Sequence, residues 1–270
     1  MRFAGKTAIV TGAAGHLGFA IAERFASEGA EVAVWDLTLP RADAAVSKLM
    51  NKGYKAIAIG ADVSSRPQID AAFQTLRRHW NTVDILVNNA GLPGPGDGIN
   101  AEFIDYTDEQ YDRTIDINVK SVFMIGQAAA RWMVERGTRG SIINVSSINA
   151  LMLDPVQAVY GASKGAVLTM TRGMAVSLGS HGIRVNAIGP AGFPKSHNLQ
   201  EPGEAERQAR VLSRAPLGRF GTPDEVAGTV AFFASDDSSY VTGQILYIDG
   251  GRMCLSTTLD HKQRMRANSL

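Results

Sequence analysis

Seven short apolar runs recur along the chain: Thr7–Thr11, Glu31–Asp36, Lys55–Gly60, Val83–Asn88, Ser141–Ser146, Ile183–Ile188 and Gln244–Asp249. Each is continuously apolar and rich in β-branched residues rather than alternating, which predicts strands buried on both faces. Between them, apolar residues recur three and four apart. Leu17, Ile21, Ala22 and Phe25 share one face of a helix over Leu17–Glu28. The same spacing predicts helices over Gln68–His79, Gln110–Arg136 and Val156–Ser180. Another opens at Thr222-Pro223-Asp224-Glu225: an N-cap, a proline at the first helical position and a glutamate completing a capping box. Strands alternating with helices are joined by crossovers, so the pattern predicts an α/β domain: a seven-stranded parallel sheet, doubly wound, with helices on both faces. No repeat or linker interrupts it. The expectation is one domain over residues 1–251 and a polar tail over 252–270, whose four Lys/Arg and one Asp leave a charge of +3.

Composition narrows the classes. The length of 270 residues allows one large domain or two small ones, and the unbroken alternation favours one. Lys+Arg is 27 against 26 Asp+Glu, so charge makes no case for a nucleic-acid partner. No apolar run reaches the roughly 18 residues of a membrane span, and Met1–Lys6 leads into a strand without a leader pattern. Cys254 is the lone cysteine, which excludes an internal disulfide and a thiolate metal cluster. The five histidines form no helical zinc pair, and no metal is expected. These features suit a cytoplasmic protein. Two Gly/Pro-rich stretches, Gly91–Tyr106 and Gly189–Ala215, follow strand ends. Ligands of open α/β sheets bind outside those ends.

The first strand runs into Thr11-Gly12-Ala13-Ala14-Gly15-His16-Leu17-Gly18. Small residues let the backbone turn tightly against a pyrophosphate, and the helix that follows offers its N–H groups to the anion. Asp36 ends the second strand, 18 residues beyond Gly18. A carboxylate there accepts hydrogen bonds from an adenosine ribose and repels a 2′-phosphate. His16 either contacts the pyrophosphate or faces solvent.

Here the chain resembles the short-chain dehydrogenase/reductase family over about residues 4–251. That family's turn reads Thr-Gly-x-x-x-Gly-x-Gly. Thr11, Gly12 and Gly18 match it, whereas His16 stands at the middle glycine with Gly15 before it. The resemblance implies a Rossmann fold with Gly12, Gly15, His16 and Leu17 on the cofactor. It also implies Asp62-Val63 at the adenine and Asn89-Ala90-Gly91 bordering the cofactor. Near the nicotinamide it implies Pro190 and Gly192, with Ala191 inserted between them and Ser196 in the place of the family's threonine. Val241-Thr242-Gly243 and Asp249-Gly250-Gly251 complete it.

Tyr160-Gly161-Ala162-Ser163-Lys164 carries the chemistry. Residues four apart share a helix face, and an ammonium near a tyrosine favours its phenolate, so Lys164 is expected to lower the Tyr160 pKa. Ser147 stands thirteen residues before Tyr160, matching the family's serine-to-tyrosine spacing, whereas Ser146 stands at fourteen. By resemblance, Ser147 orients the reacting oxygen, Lys164 holds the nicotinamide ribose, and Asn118 joins a proton relay. Substrate contacts are expected from Ser147, Asn149, Gln157, Tyr160 and Lys195. These, with Met152, Asp154, Ser196 and His197, make a mostly polar wall, which suits a small polyol, sugar or sugar acid.

The resulting expectation is an NAD-dependent oxidoreductase acting on a secondary alcohol or ketone. One alternative is an NADPH-dependent reductase of 3-oxoacyl type, disfavoured by Asp36 because no Arg or Lys follows before Arg41. The other is a dinucleotide-binding regulatory protein without turnover, disfavoured by the intact catalytic set. The helices around Asn118–Arg136 and Val156–Ser180 are apolar on more than one face, so a side beyond the sheet can meet a symmetry mate, and the family resemblance implies a homodimer or homotetramer through them.

Overall fold

The computed structural model describes residues 1–92, 101–191 and 204–258. The strands are β1 (Thr7–Thr11), β2 (Glu31–Asp36), β3 (Ala56–Gly60), β4 (Ile85–Asn88), β5 (Ser141–Val145), β6 (Arg184–Pro190) and β7 (Ile245–Ile248). The helices are α1 (His16–Ser27), α2 (Leu39–Met50), α3 (Arg66–His79), α4 (Asp108–Ile115), α5 (Ser121–Arg136), α6 (Ala158–Leu178), α7 (Glu204–Leu212) and α8 (Pro223–Ala234). The sheet has the order β3-β2-β1-β4-β5-β6-β7, parallel throughout. The chain runs outward from β1 to β3 and returns to β4 on the other side of β1. That reversal leaves a crevice at the carboxyl ends of β1 and β4.

Period-2 side-chain direction divides the core between the two faces. Val10, Val34, Val87, Ile143 and Ile188 point to one side, against Phe25, Leu49, Val230 and Phe233 of α1, α2 and α8. Ile9, Ala33, Leu86, Ile142 and Val185 point to the other, against Leu76, Ile125 and Trp132 of α3 and α5. On that side Phe73 stands edge-on between Trp35 and Trp132, with ring centres 6.0 and 6.3 Å away. The Trp35 indole N–H is satisfied by the Ala61 carbonyl at 2.8 Å.

Two elements differ from the sequence reading. The helix α2 was not among the predicted segments, because three of its four buried positions are Ala42, Ala45 and Val46, and only Leu49 is large. The span Gln110–Arg136 is not one regular helix. Asp116–Lys120 forms a π-helical turn between α4 and α5, a feature that often marks functional positions.

Candidate active site

Four residues join β1 to α1, and their geometry explains the glycines. Gly12 has φ +64°, and a Cβ on it would stand 3.0 Å from the Ala90 Cα. A Cβ on Gly18 would stand 2.2 Å from the Gly12 carbonyl oxygen, so the helix passes directly beneath the turn. Gly15 is the N-cap of α1; no side chain caps it, and no acidic residue lies in the first turn. The backbone donors and the positive end of the helix dipole are therefore available to an anion. Thr11 ties this turn to the next one: its hydroxyl accepts from the Asn89 and Ala90 amides at 3.0 and 2.9 Å. Asn89 Nδ2 returns a bond to the Thr11 carbonyl at 2.8 Å.

Above these turns lies a cleft of about 500 Å³. Gly12, Gly15, His16, Leu17, Asp36, Asp62, Val63, Asn89, Ala90 and Gly91 all line it, as the sequence reading expected of the cofactor site. His16 is exposed at the start of α1 and borders the cleft. The left-handed turn, the close approach at Gly18 and the uncapped helix together fit a dinucleotide pyrophosphate.

Asp36 is 6% exposed. Its Oδ2 accepts from the Ala14 amide and its Oδ1 from the Leu37 amide, each at 3.0 Å. Arg41 Nε also reaches Asp36 Oδ1, at 2.8 Å. The sequence reading set Arg41 aside as too far along the chain. The start of α2 at Leu39 folds position 41 back onto the end of β2, so a cation does border the Asp36 end of the cleft. Arg113 lines the cleft too. The sequence reading missed it, and no local signal marks it, since only packing brings α4 there.

The catalytic candidates converge at the end of β5. Ser147 caps the short turn Ile148–Ala150, its Oγ accepting from the Asn149 amide at 3.1 Å. It also stands by the Tyr160 phenol, close enough for its hydroxyl to favour the phenolate. Ser146 is committed elsewhere: its Oγ donates to the Lys164 carbonyl at 2.9 Å. Lys164 Nζ donates to the Val145 carbonyl at 3.1 Å and stands 5.8 Å from the centre of the Tyr160 ring. Asn118 sits in the π-helical turn, which directs it inward. Its Oδ1 accepts from the Leu92 amide at 2.8 Å, and its Nδ2 donates to Ser163 Oγ at 3.0 Å. Ser163 in turn donates to the Tyr160 carbonyl at 2.6 Å. A Cβ on Gly91 would meet Asn118 Oδ1 at 3.2 Å and Lys164 Nζ at 3.3 Å, so both polar groups approach that glycine. Ser163 was not singled out from sequence, although it lies inside the Tyr160–Lys164 motif.

Burial governs the titration of the pair. It pulls the Lys164 ammonium down to about 8. It pushes the Tyr160 phenol up, while the Ser147 hydroxyl pulls in the opposite direction. This corrects the expectation that Lys164 lowers the Tyr160 pKa. Desolvation of the phenolate dominates, and the ammonium lies beside the ring. For stability the sign follows from proton counting. Between about pH 8 and 10.5 the unfolded chain keeps a Lys164 proton that the folded chain has released, so this group adds stability as pH rises through that window. Lys164→Met removes the dependence. Urea unfolding at pH 7.5 and pH 9.5 is expected to move the difference between the two proteins by ~2 kcal/mol in favour of wild type.

On the substrate side, the Asn149 amide donates to the Gln157 side chain. Gln157 is buried, which makes it a support for Asn149. Tyr106 OH donates to the Val156 carbonyl at 3.0 Å and braces the same segment. Pro190 closes β6, paired with Ile248. Gly192, Lys195, Ser196 and His197 lie outside the described residues, as does the tail from residue 259. Among the described residues there is no group of three or more potential metal-binding side chains, and no helix is long and apolar enough to cross a membrane.

Known proteins resemble this chain along nearly its whole length. A family model described as enoyl-(acyl carrier protein) reductase matches residues 12–252. Glucose 1-dehydrogenase 2 of Bacillus subtilis is 37% identical over 95% of this chain and 98% of its own. A 3-oxoacyl-[acyl-carrier-protein] reductase of Thermotoga maritima is 39% identical over 93% and 99%. A gluconate 5-dehydrogenase from Burkholderia cenocepacia, solved in complex with NADP and tartrate, superposes with a TM-score of 0.86. It is 32% identical, covering 94% of this chain and 98% of that one.

Proposed function

The chain belongs to the short-chain dehydrogenase/reductase family, and from that premise we propose that it passes hydride between NAD and a small polyhydroxylated alcohol or its ketone. The observation carrying this reading is the convergence of Ser147, Tyr160 and Lys164 at the end of β5. When bound, the nicotinamide supplies or accepts the hydride. Tyr160 donates a proton to the carbonyl oxygen during reduction and removes it from the carbinol during oxidation. Ser147 hydrogen-bonds the same oxygen and orients it. Asn118 lies near Lys164 and carries the relay through which Tyr160 regains its proton.

Asp36 supports NAD over NADP, since a buried carboxylate opposes a 2′-phosphate. Arg41 moderates that preference without removing it. The substrate reading draws on the polar Asn149–Gln157 segment and on the sugar-directed names of relatives such as glucose 1-dehydrogenase 2 and gluconate 5-dehydrogenase. A 3-oxoacyl thioester, as in the Thermotoga relative, calls for an apolar wall instead. The test is an NAD+ reduction screen over polyols, sugars and sugar acids against apolar secondary alcohols of similar size. Higher kcat/KM throughout the apolar set overturns the substrate class. An absence of turnover on every alcohol and ketone overturns the enzyme reading in favour of a regulatory protein.

The assembly reading is a homodimer or homotetramer built on α5 and α6. Val122, Ile125, Trp132, Val167 and Leu168 are buried within one chain, so the outward face is carried by others. Phe123 and Val134 are 48% and 40% exposed along a groove that also holds Met174 and Leu178. Such a face supports pairing with a second copy. Sedimentation is expected to give a multiple of 28.8 kDa at micromolar concentration, and Phe123→Asp is expected to shift it toward the monomer. A wild-type monomer overturns this reading.

A further inference from the structure

Away from the cofactor cleft, Arg210, Arg214 and Arg252 line a separate cavity of about 360 Å³, with Asp154, Pro155 and Val156 as the facing wall. That volume lies within the roughly 300–1,000 Å³ of small-ligand sites. The helix α7 ends at Leu212, but the amides of Ser213 and Arg214 still bond the carbonyls of Ala209 and Val211. The turn therefore continues, and positions 210 and 214 share one side of it. Arg252 comes from a different element, the 3-10 turn Arg252–Cys254 after β7.

Among the described residues none of these three guanidiniums has a carboxylate partner; the arginine ion pairs there involve Arg2, Arg24, Arg41, Arg77 and Arg219. Arg252 Nε is buried without a hydrogen-bond partner. A buried unpaired donor is costly, most of all on a charged group. The negative end of the α7 dipole would account for Arg210 and Arg214 as helix-terminal cations. It does not account for Arg252, whose orphaned donor comes from another element. Arg210, Arg214 and Asp154 are exposed at its rim, and Arg252 is partly buried and also borders the neighbouring pocket of Glu225 and Asp249. Within this lining three guanidiniums stand against one carboxylate, Asp154, so the cleft favours an anion.

Its wall is tied to the catalytic residues. Val156 precedes Gln157, whose side chain holds Asn149, and the Asn149 amide donates to Ser147 Oγ. Four residue steps separate Val156 from Tyr160, which bounds their separation at about 14 Å even for a fully extended chain. We infer that Arg210, Arg214 and Arg252 form an anion subsite that receives the acidic end, carboxylate or phosphate, of a polyhydroxylated substrate whose carbinol lies at Tyr160. The inference rests on the dehydrogenase reading above and narrows it to anionic substrates.

The experiment compares wild type with Arg210→Gln, Arg214→Gln and Arg252→Gln on D-gluconate, D-sorbitol 6-phosphate and D-sorbitol, with NAD+ in excess. Wild type is expected to favour at least one anion over sorbitol by about tenfold or more in kcat/KM, and the favoured anion identifies the carboxylate or the phosphate. At least two of the variants are expected to reduce that ratio about tenfold, chiefly through KM. An unchanged ratio in all three variants, or a wild-type preference for sorbitol, overturns the subsite while the dehydrogenase reading stands. Should none of the three compounds be oxidised, calorimetric titration of the NADH-saturated enzyme with gluconate and sorbitol 6-phosphate decides. Tighter binding by wild type than by Arg214→Gln supports the subsite. Equal binding, or none, overturns it.

Discussion

Tyr160→Phe is expected to lower kcat by ~10²–10⁴-fold and to leave dinucleotide affinity close to wild type. The substitution removes one hydroxyl, the group that exchanges a proton with the substrate oxygen and that stands by Ser147. It leaves the ring beside Lys164, 5.8 Å from Nζ, so packing at this point is kept. Ser147→Ala is expected to act in the same direction with a smaller loss, because Tyr160 still supplies the proton. Lys164→Met differs from both: it withdraws the donor near Gly91 and is expected to raise the KM for the cofactor along with the loss in kcat. Steady-state kinetics with cofactor binding followed by fluorescence separates the three patterns. Near-normal turnover in Tyr160→Phe would remove Tyr160 from the acid/base role.

The second large effect concerns cofactor choice. Wild type is expected to use NAD+ with the higher kcat/KM, and Asp36→Ala is expected to reverse or nearly reverse that order. A buried carboxylate beside a 2′-phosphate costs several kcal/mol, so its removal is worth roughly a hundredfold in kcat/KM for NADP+. The ion pair with Arg41 makes the single change sufficient: with Asp36 gone, the guanidinium it held at 2.8 Å becomes a ready phosphate partner. Arg41→Ala in the wild-type background is expected to depress the residual NADP+ rate and to affect NAD+ little. Paired kcat/KM values for both cofactors on the two variants provide the check. An unaltered NAD+/NADP+ ratio in Asp36→Ala would show that the carboxylate does not face the ribose.

Much of this was present in local pattern. The continuous apolar runs specify strands buried on two faces, and alternation with helical spacing specifies a doubly wound sheet, because few other arrangements bury both kinds of face. Gly12 and Gly18 were marked by the Thr-Gly turn before the first helix, and the contacts there admit no side chain. Ser147, Tyr160 and Lys164 were legible because their relation is one of chain spacing: a strand end and a single helical turn. Even the choice of Ser147 over Ser146 rested on one residue of register, and Ser146 is indeed turned toward the Lys164 carbonyl.

What depended on distance in space was hidden. The helix α2 buries two alanines, a valine and a single leucine, so its apolar face barely registers in sequence, yet its first turn is what returns Arg41 to Asp36. The π-helical turn that aims Asn118 inward breaks a run that reads as one regular helix. The effect of Lys164 on Tyr160 was misjudged, since adjacency on a helix reveals a charge but not how deeply both groups are desolvated. Arg210 and Arg214 come from the end of α7 and Arg252 from the turn after β7, and they meet only once both pack beside the 154–156 segment. Sequence by itself determined the sheet, the glycine turn and the spacing that brings Ser147, Tyr160 and Lys164 together, because short-range sterics and helical periodicity dictate them. The tertiary structure alone decided that Arg41 meets Asp36, how burial shifts Tyr160 and Lys164 in opposite directions, and that Arg210, Arg214 and Arg252 line one cleft.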